Sequence, residues 1–249
     1  HLIIVIFTNY FLYNIFMNIT KFKNNLSIVI LCGGKGLRLR PLTNDLPKPL
    51  IKINEKSILE NIIQYFIKFK ITNFIIATGY KNKLIDNFFK KKFKNKNIKI
   101  VYTGLNSDII SRLKKTSEFS KKYFLVCYGD TMVDINLNKY IKFYLSNIKK
   151  ITMASYQLKS SFGIIDIGKN DNVIDFNEKP ILDIWFNVGY FIFSSDKFKY
   201  FKKFKRFKKL LEFMAKKKLM KTYKHRGKHI TVNTLEELEK AKQQIKKFN

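Results

Sequence analysis

The stretch from Ser27 to Lys48 constrains this chain more than any other. Ser27-Ile-Val-Ile-Leu31 is a short, β-branched apolar run that ends at Cys32 and three glycines, Gly33, Gly34 and Gly36. Such a run reads as a buried strand feeding a tight turn. Glycines let the backbone approach a ligand closely, and successive N–H groups form an anion-binding concavity. Arg38, Arg40 and Lys48 add fixed positive charge just beyond. A strand, a glycine turn and then cations can hold polyphosphate. The spacing G-G-x-G is neither the dinucleotide G-x-G-x-x-G nor the P-loop G-x-x-x-x-G-K-[ST]. Alone it is met most often as a plain turn between strand and helix. Arg38 and the Pro47-Lys48-Pro49 run weigh the other way.

The rest of the chain alternates. Residues 57–70 carry Ile58, Leu59, Ile62, Ile63, Phe66 and Ile67 at helical spacing. Strands are expected at 73–78, 98–102, 123–128 and 151–157, and helices at 84–93 and 138–146. This βαβ order predicts an α/β fold with a mostly parallel sheet covered by helices on both faces. Ligands of such sheets bind outside the carboxyl ends of the strands. The glycine turn, Gly79-Tyr80 and Asp130 all fall at such ends. From Phe162 onward the pattern turns to short strands, an amphipathic helix over 197–218 and a last helix over 235–247. No internal repeat and no linker rich in Pro, Gly or Ser interrupts it, so residues 17–249 read as one domain.

Residues 1–16 are apolar and form a separate extension. They lack the positive n-region and small-residue cleavage site of a signal peptide. They are also shorter than the ~20 apolar residues of a membrane span, and Asn9 and Asn14 interrupt them. They read as translation upstream of a start at Met17, with a short membrane-associating helix as the alternative; no stable membrane insertion is expected.

The formal net charge of +31 would ordinarily suggest nucleic acid or an anionic membrane. The lysines are scattered, however, and Lys, Asn, Ile and Phe share A/T-rich codons, so genome composition suffices. No nucleic-acid partner is expected. The two cysteines, Cys32 and Cys127, lie in apolar strand-like runs, which fits buried thiols in a reducing, cytoplasmic compartment.

Leu31-Cys-Gly-Gly-Lys-Gly-Leu-Arg-Leu-Arg-Pro-Leu-Thr, followed by Pro47-Lys48-Pro49, resembles the N-terminal signature of the sugar-1-phosphate nucleotidyltransferases. Tyr128-Gly129-Asp130, Phe162-Gly163, Phe176-Asn-Glu178-Lys179-Pro180 and Asn187-Val-Gly189 follow in that family's order. The segment from Tyr223 to Leu235 resembles its closing segment, and the similarity runs from about Ser27 to the C-terminus. Around Tyr102 and Tyr128 it is closest in appearance to glucose-1-phosphate cytidylyltransferases.

The resemblance implies a Rossmann-like sheet of the nucleotide-diphospho-sugar transferase type. It implies an enzyme that joins an NTP, here CTP, to a sugar 1-phosphate, here glucose 1-phosphate, and releases pyrophosphate. GTP-, UTP- and dTTP-using relatives, or a catalytically impaired binding protein on the same fold, are the alternatives. Leu31, Gly33, Gly34, Gly36 and Gly79 would bind nucleotide. Arg38, Lys48 and Asp130 would serve the transfer, with Asp130 and Asn233 on Mg²⁺. Gly163, Glu178, Lys179, Asn187 and Gly189 would bind the sugar phosphate. A homo-oligomer is compatible with this family. Three departures stand out: Leu37 replaces the usual threonine, His229 the usual tryptophan, and Asn233 (or Thr231 under a shifted alignment) the usual second metal-ligating aspartate.

Overall fold

A seven-stranded sheet organises the computed structural model, which describes residues 17–94 and 97–248. The 1–16 extension lies outside the described residues. The first strand, β1 (Leu26–Cys32), is central. It is followed by α1 (Ile58–Lys68), β2 (Asn73–Thr78), α2 (Asn82–Lys92), β3 (Asn97–Tyr102), α3 (Ile109–Ser117) and β4 (Tyr123–Tyr128). Then come β5 (Thr131–Val133), α4 (Leu137–Leu145), β6 (Ile151–Lys159), β7 (Ile164–Ile167), β8 (Val173–Asn177) and β9 (Ile181–Ser194). The chain closes with α5 (Phe198–Lys203), α6 (Phe207–Lys216), β10 (Met220–His225), β11 (His229–Thr231) and α7 (Leu235–Gln244). The sheet order is β10-β6-β9-β4-β1-β2-β3. Only β9 runs antiparallel to its neighbours, so the sheet is mostly parallel as expected.

Strand alternation divides the core in two. Ile28 and Ile30 of β1 point to one face with Phe74, Ile76, Leu125 and Cys127, and α1, α2, α4 and α7 cover them. Val29 points to the other face with Ile75, Phe124 and Val126, under α3, α5 and α6. Each such buried side chain contributes about 1.5–3 kcal/mol. This two-sided burial is why the strands read as unbroken apolar runs. Among the described residues no helix is long and apolar enough to cross a membrane.

Three expectations change. The 197–218 helix is two helices, α5 and α6, separated at Phe204 and Arg206, whose backbones are extended. Lys202, Lys203, Lys205 and Arg206 crowd like charges there, and the break lets both Phe201 and Phe207 reach the same core. The short strands expected after Phe162 include a 14-residue one, β9. Helix α3 was not expected at all; Asp108 caps it by accepting from Ile110 N at 2.9 Å.

Candidate active site

From β1 the chain winds outward to β2 and β3, then returns to place β4 on the other side of β1. The carboxyl ends of β1 and β4 therefore flank a topological switch point, where open α/β sheets bind ligands. A cavity of about 670 Å³ opens there. The glycine turn, Arg38, Lys48, Tyr128, Asp130, Asn233 and the first turn of α3 line it.

The glycine turn is held from behind. Arg112 of α3, buried, donates through Nη2 to Gly33 O at 3.1 Å. Its Nη1 donates to Thr103 Oγ1 at 2.6 Å and Thr78 O at 3.3 Å. Burial pulls its pKa down, with Cys32 and Asp108 pushing back. A Cβ on Gly33 would sit 1.6 Å from Arg112 Nη1, so only glycine leaves room for the guanidinium. Gly36 adopts φ +64°, a left-handed conformation that glycine tolerates at no steric cost. Its carbonyl accepts from Thr43 Oγ1 at 3.0 Å. Gly34 faces open space. Gly79 stands behind the turn, where a Cβ would meet Gly33 O at 2.7 Å.

Opposite the turn, four side chains converge. Lys48, nearly buried, lies 2.5 Å from Asp130 Oδ2 and donates to Asn233 Oδ1 at 2.9 Å. Arg38 Nη2 also donates to Asn233 Oδ1, at 3.1 Å. Asn233 Nδ2 donates to Thr231 Oγ1 at 3.2 Å, which leaves Oδ1 toward the two cations. The Val232 N–H on Asp130 O (3.2 Å) ties the closing segment to the turn after β4, and the Asn233 N–H on Glu237 (2.5 Å) ties it to the first turn of α7. One carboxylate oxygen and one amide oxygen thus surround a single cationic centre, the Lys48 ammonium. Among the described residues no group of three or more His, Cys, Asp and Glu is placed to hold a metal.

The sugar-side expectations divide. Asn187 and Gly189 flank the cavity through Tyr128. Gly189 has φ +78°, and a Cβ there would lie 2.3 Å from Tyr128 Cδ2; its N–H donates to Asn187 Oδ1 at 2.7 Å. Burial raises the Tyr128 phenol, and Asn187 beside it pulls it partly back. Gly163, Glu178 and Lys179 do not join the cavity lining. Glu178 and Lys179 form an exposed pair at 3.4 Å where β8 ends. Leu37 lines the cavity largely exposed, so the missing threonine hydroxyl leaves the turn's own clamps in place. Cys32 and Cys127 are buried free thiols whose pKa values burial pushes up, as the apolar strands suggested.

Sequence reasoning missed Arg112, Glu237 and the α3 turn at Ser107 and Asp108. Only the cap signal of Asp108 before Ile109-Ile110 was available for the last.

Residues 27–243 match the family model described as nucleotidyl transferase. The chain belongs to that family. This nucleotidyltransferase is 37% identical over 155 residues to D-glycero-alpha-D-manno-heptose 1-phosphate guanylyltransferase of Campylobacter jejuni, a match covering 61% of this chain and 67% of the relative. It is 32% identical over 191 residues to glucose-1-phosphate cytidylyltransferase of Salmonella typhimurium, covering 67% and 74%. The nucleotidyltransferase fold is shared with HddC of Yersinia pseudotuberculosis, solved with GMP-PN, at a TM-score of 0.68 and 22% identity over 88% of this chain and 99% of that one. The expected family, fold and transferase class therefore hold. The relatives' names span guanylyl and cytidylyl transfer and do not single out CTP.

Proposed function

We propose that the protein joins an NTP to a sugar 1-phosphate, with CTP and glucose 1-phosphate as the favoured pair. A phosphate oxygen of the sugar 1-phosphate bonds to the α-phosphorus, the α–β bridging bond breaks, and pyrophosphate leaves with the electron pair. Such a transfer asks the protein for positioning and charge balance. The observation that carries the reading is the convergence of Lys48, Asp130, Asn233 and Arg38 opposite a clamped glycine turn at the switch point.

The turn at Gly33, Gly34 and Gly36, with Leu31 before it and Gly79 behind, would seat the nucleotide. Arg38 would balance charge gathering on the leaving pyrophosphate. Lys48 would bridge the phosphates of both substrates as a point charge. Asn187 and Gly189 would shape the sugar side beside Tyr128, and Glu178 and Lys179 would close over it. Asp130 and Asn233, whose oxygens face the Lys48 ammonium in this structure, would serve as hard ligands to Mg²⁺ once Lys48 turns to the phosphates, with phosphate and water oxygens completing the shell. When bound, that ion would supply Lewis-acid neutralisation of the phosphates. Nucleotide substrates and reduced cysteines agree with a cytoplasmic enzyme.

The test is a panel of four NTPs against several sugar 1-phosphates, read as pyrophosphate release. CTP with glucose 1-phosphate should be fastest. A faster pair with GTP, UTP or dTTP would correct the base, and a folded protein inactive across the panel would favour a binding protein on this fold.

A further inference from the structure

The stretch that joins the glycine turn to Lys48 is weakly packed. Between Leu39 and Pro47, both buried, Thr43 is the one buried residue, and it is polar. Leu42 and Leu46 are 42% and 43% exposed. An apolar cavity of about 510 Å³ runs along the flank of this stretch, bounded by Leu42, Leu46, Leu50, Phe88 and Leu238. A segment beside a void lacks the contacts that hold a core element in place. Hydrogen bonds hold it instead, and they lead to Tyr80. The Tyr80 hydroxyl donates to Thr43 O at 2.9 Å, with Asn44 O at 3.4 Å as a second acceptor. Thr43 Oγ1 donates to Gly36 O at 3.0 Å, and the Tyr80 N–H donates to Gly33 O at 3.2 Å. Gly33, Tyr80, Thr43 and Gly36 thus close a circuit of hydrogen bonds behind the glycine turn. Tyr80 itself does not line the active-site cavity.

We propose that Tyr80 is a positioning residue for Lys48: its hydroxyl pins residues 42–46, and through them it sets where the Lys48 ammonium stands. The pin is read from the geometry alone; its kinetic consequence rests on the proposed reaction. Direct contact carries the position from Thr43 to Lys48. A Cβ on Gly36 would lie 3.0 Å from Thr43 Cγ2 and 3.1 Å from Lys48 Cβ, so these three residues pack against one another. Lys48 is nearly buried, so its stem follows that packing. The hydroxyl acts on one side of the circuit only. Without it, Gly33 O still accepts from the Tyr80 N–H and from Arg112, so the first half of the glycine turn keeps its place. Thr43 loses its anchor to the body of the protein, and Lys48 moves with it. An ammonium that would bridge the phosphates of both substrates is needed most as the new bond forms. Its displacement therefore weakens kcat more than the binding of NTP, and a shift of ~1 Å in such a group can cost about 100-fold.

Amide exchange tests the pin without any substrate. The amides of Asn44, Leu46, Leu50 and Ile51 are hydrogen-bonded within the segment. In Tyr80→Phe they should exchange about three- to tenfold faster, the effect of one lost hydrogen bond on local opening. The amides of β1 and α1 should keep their native rates. Thr43→Val frees the same segment from Gly36 O and should give the same pattern, so either variant decides if the other does not fold. Steady-state kinetics read the consequence. Tyr80→Phe should lower kcat about tenfold, hold KM for NTP within twofold and leave Tm within a few degrees. Native exchange rates across 43–51 in folded Tyr80→Phe overturn the proposal. So does a Tyr80→Phe enzyme whose KM for NTP rises while kcat stays native, because that places the effect on Gly33 and not on Lys48. Absence of turnover in the wild type would count against the reaction, and the exchange rates would still decide the pin.

Discussion

Arg112→Lys probes how the glycine turn is held. The native guanidinium binds three acceptors from three segments: Gly33 O at 3.1 Å, Thr103 Oγ1 at 2.6 Å and Thr78 O at 3.3 Å. A lysine keeps the charge but replaces a rigid fork with a single nitrogen. It can reach one acceptor well and forfeits the charged bonds to the other two, although Gly33 O keeps the Tyr80 N–H at 3.2 Å and Thr78 O keeps the Thr103 N–H at 2.9 Å. Losing two charge-assisted hydrogen bonds at about 1.5–3 kcal/mol each, with partial relaxation, predicts a loss of about 2–4 kcal/mol. At ~2–4 °C per kcal/mol for a chain of this size, Tm should fall by about 5–15 °C. Because Gly33 belongs to the turn that would seat the nucleotide, KM for NTP should rise about tenfold with a smaller change in kcat. Thr103→Val removes one acceptor of Arg112 together with that hydroxyl's own bond to Thr78 O at 2.7 Å, so the Arg112→Lys, Thr103→Val double variant should lose less than the sum of the single losses. The assay is a calorimetric double-mutant cycle combined with steady-state kinetics. Strict additivity, or an Arg112→Lys protein that melts like the wild type, refutes the reasoning.

Other outcomes follow from the same geometry. Asp130→Asn should cut turnover about 100-fold and leave Tm within a few degrees, because it removes the carboxylate beside Lys48; near-normal turnover at limiting Mg²⁺ would show that Asp130 is not a ligand. Asn233→Asp should lower the Mg²⁺ concentration at half-maximal rate, since Oδ1 already faces the cationic centre; an unchanged Mg²⁺ titration would remove Asn233 from the metal. Gly189→Ala must hold φ +78° and displace the Tyr128 ring, so it should lose about 2–4 kcal/mol by chemical denaturation. His229 stacks on Tyr156 at 5.2 Å, and burial, then His225, lowers its pKa from 6.5 to about 4. The unfolded chain then binds the proton first as pH falls, so stability intact above pH 6.5 should be lost progressively down to about pH 4, by about 2 kcal/mol. His229→Phe should flatten that part of the pH–Tm curve, and an unaltered slope would assign it to other groups.

The sequence revealed the parts of this fold that rest on local pattern. β2 and β4 lie where their apolar runs lie, because both faces are buried and polar residues bound each run. Ser57 marks the start of α1 and caps it on Glu60 N at 3.1 Å. Leu31, Gly33, Gly34, Gly36 and Arg38 at or after the end of β1 meet Asp130 after β4 because the two strands are neighbours in one sheet; Lys48 arrives on the long loop after β1, and Asn233 follows β11 of the separate β5–β11 pair. What stayed hidden depends on distance in the chain. Arg112 serves carbonyls 34 and 79 residues away, and no local spacing announces that. The break between α5 and α6 depends on where β4 and β9 put their aromatics rather than on helix period.

In the proposed reaction a sugar 1-phosphate and an NTP meet across the Lys48–Asp130–Asn233 cluster. ³¹P NMR of the protein with CTP, glucose 1-phosphate and Mg²⁺ follows both products together. Pyrophosphate and a sugar-linked nucleoside diphosphate should grow in equal amounts, with neither formed when the sugar 1-phosphate or Mg²⁺ is omitted. Phosphate or pyrophosphate released from CTP at the same rate without the sugar would contradict it.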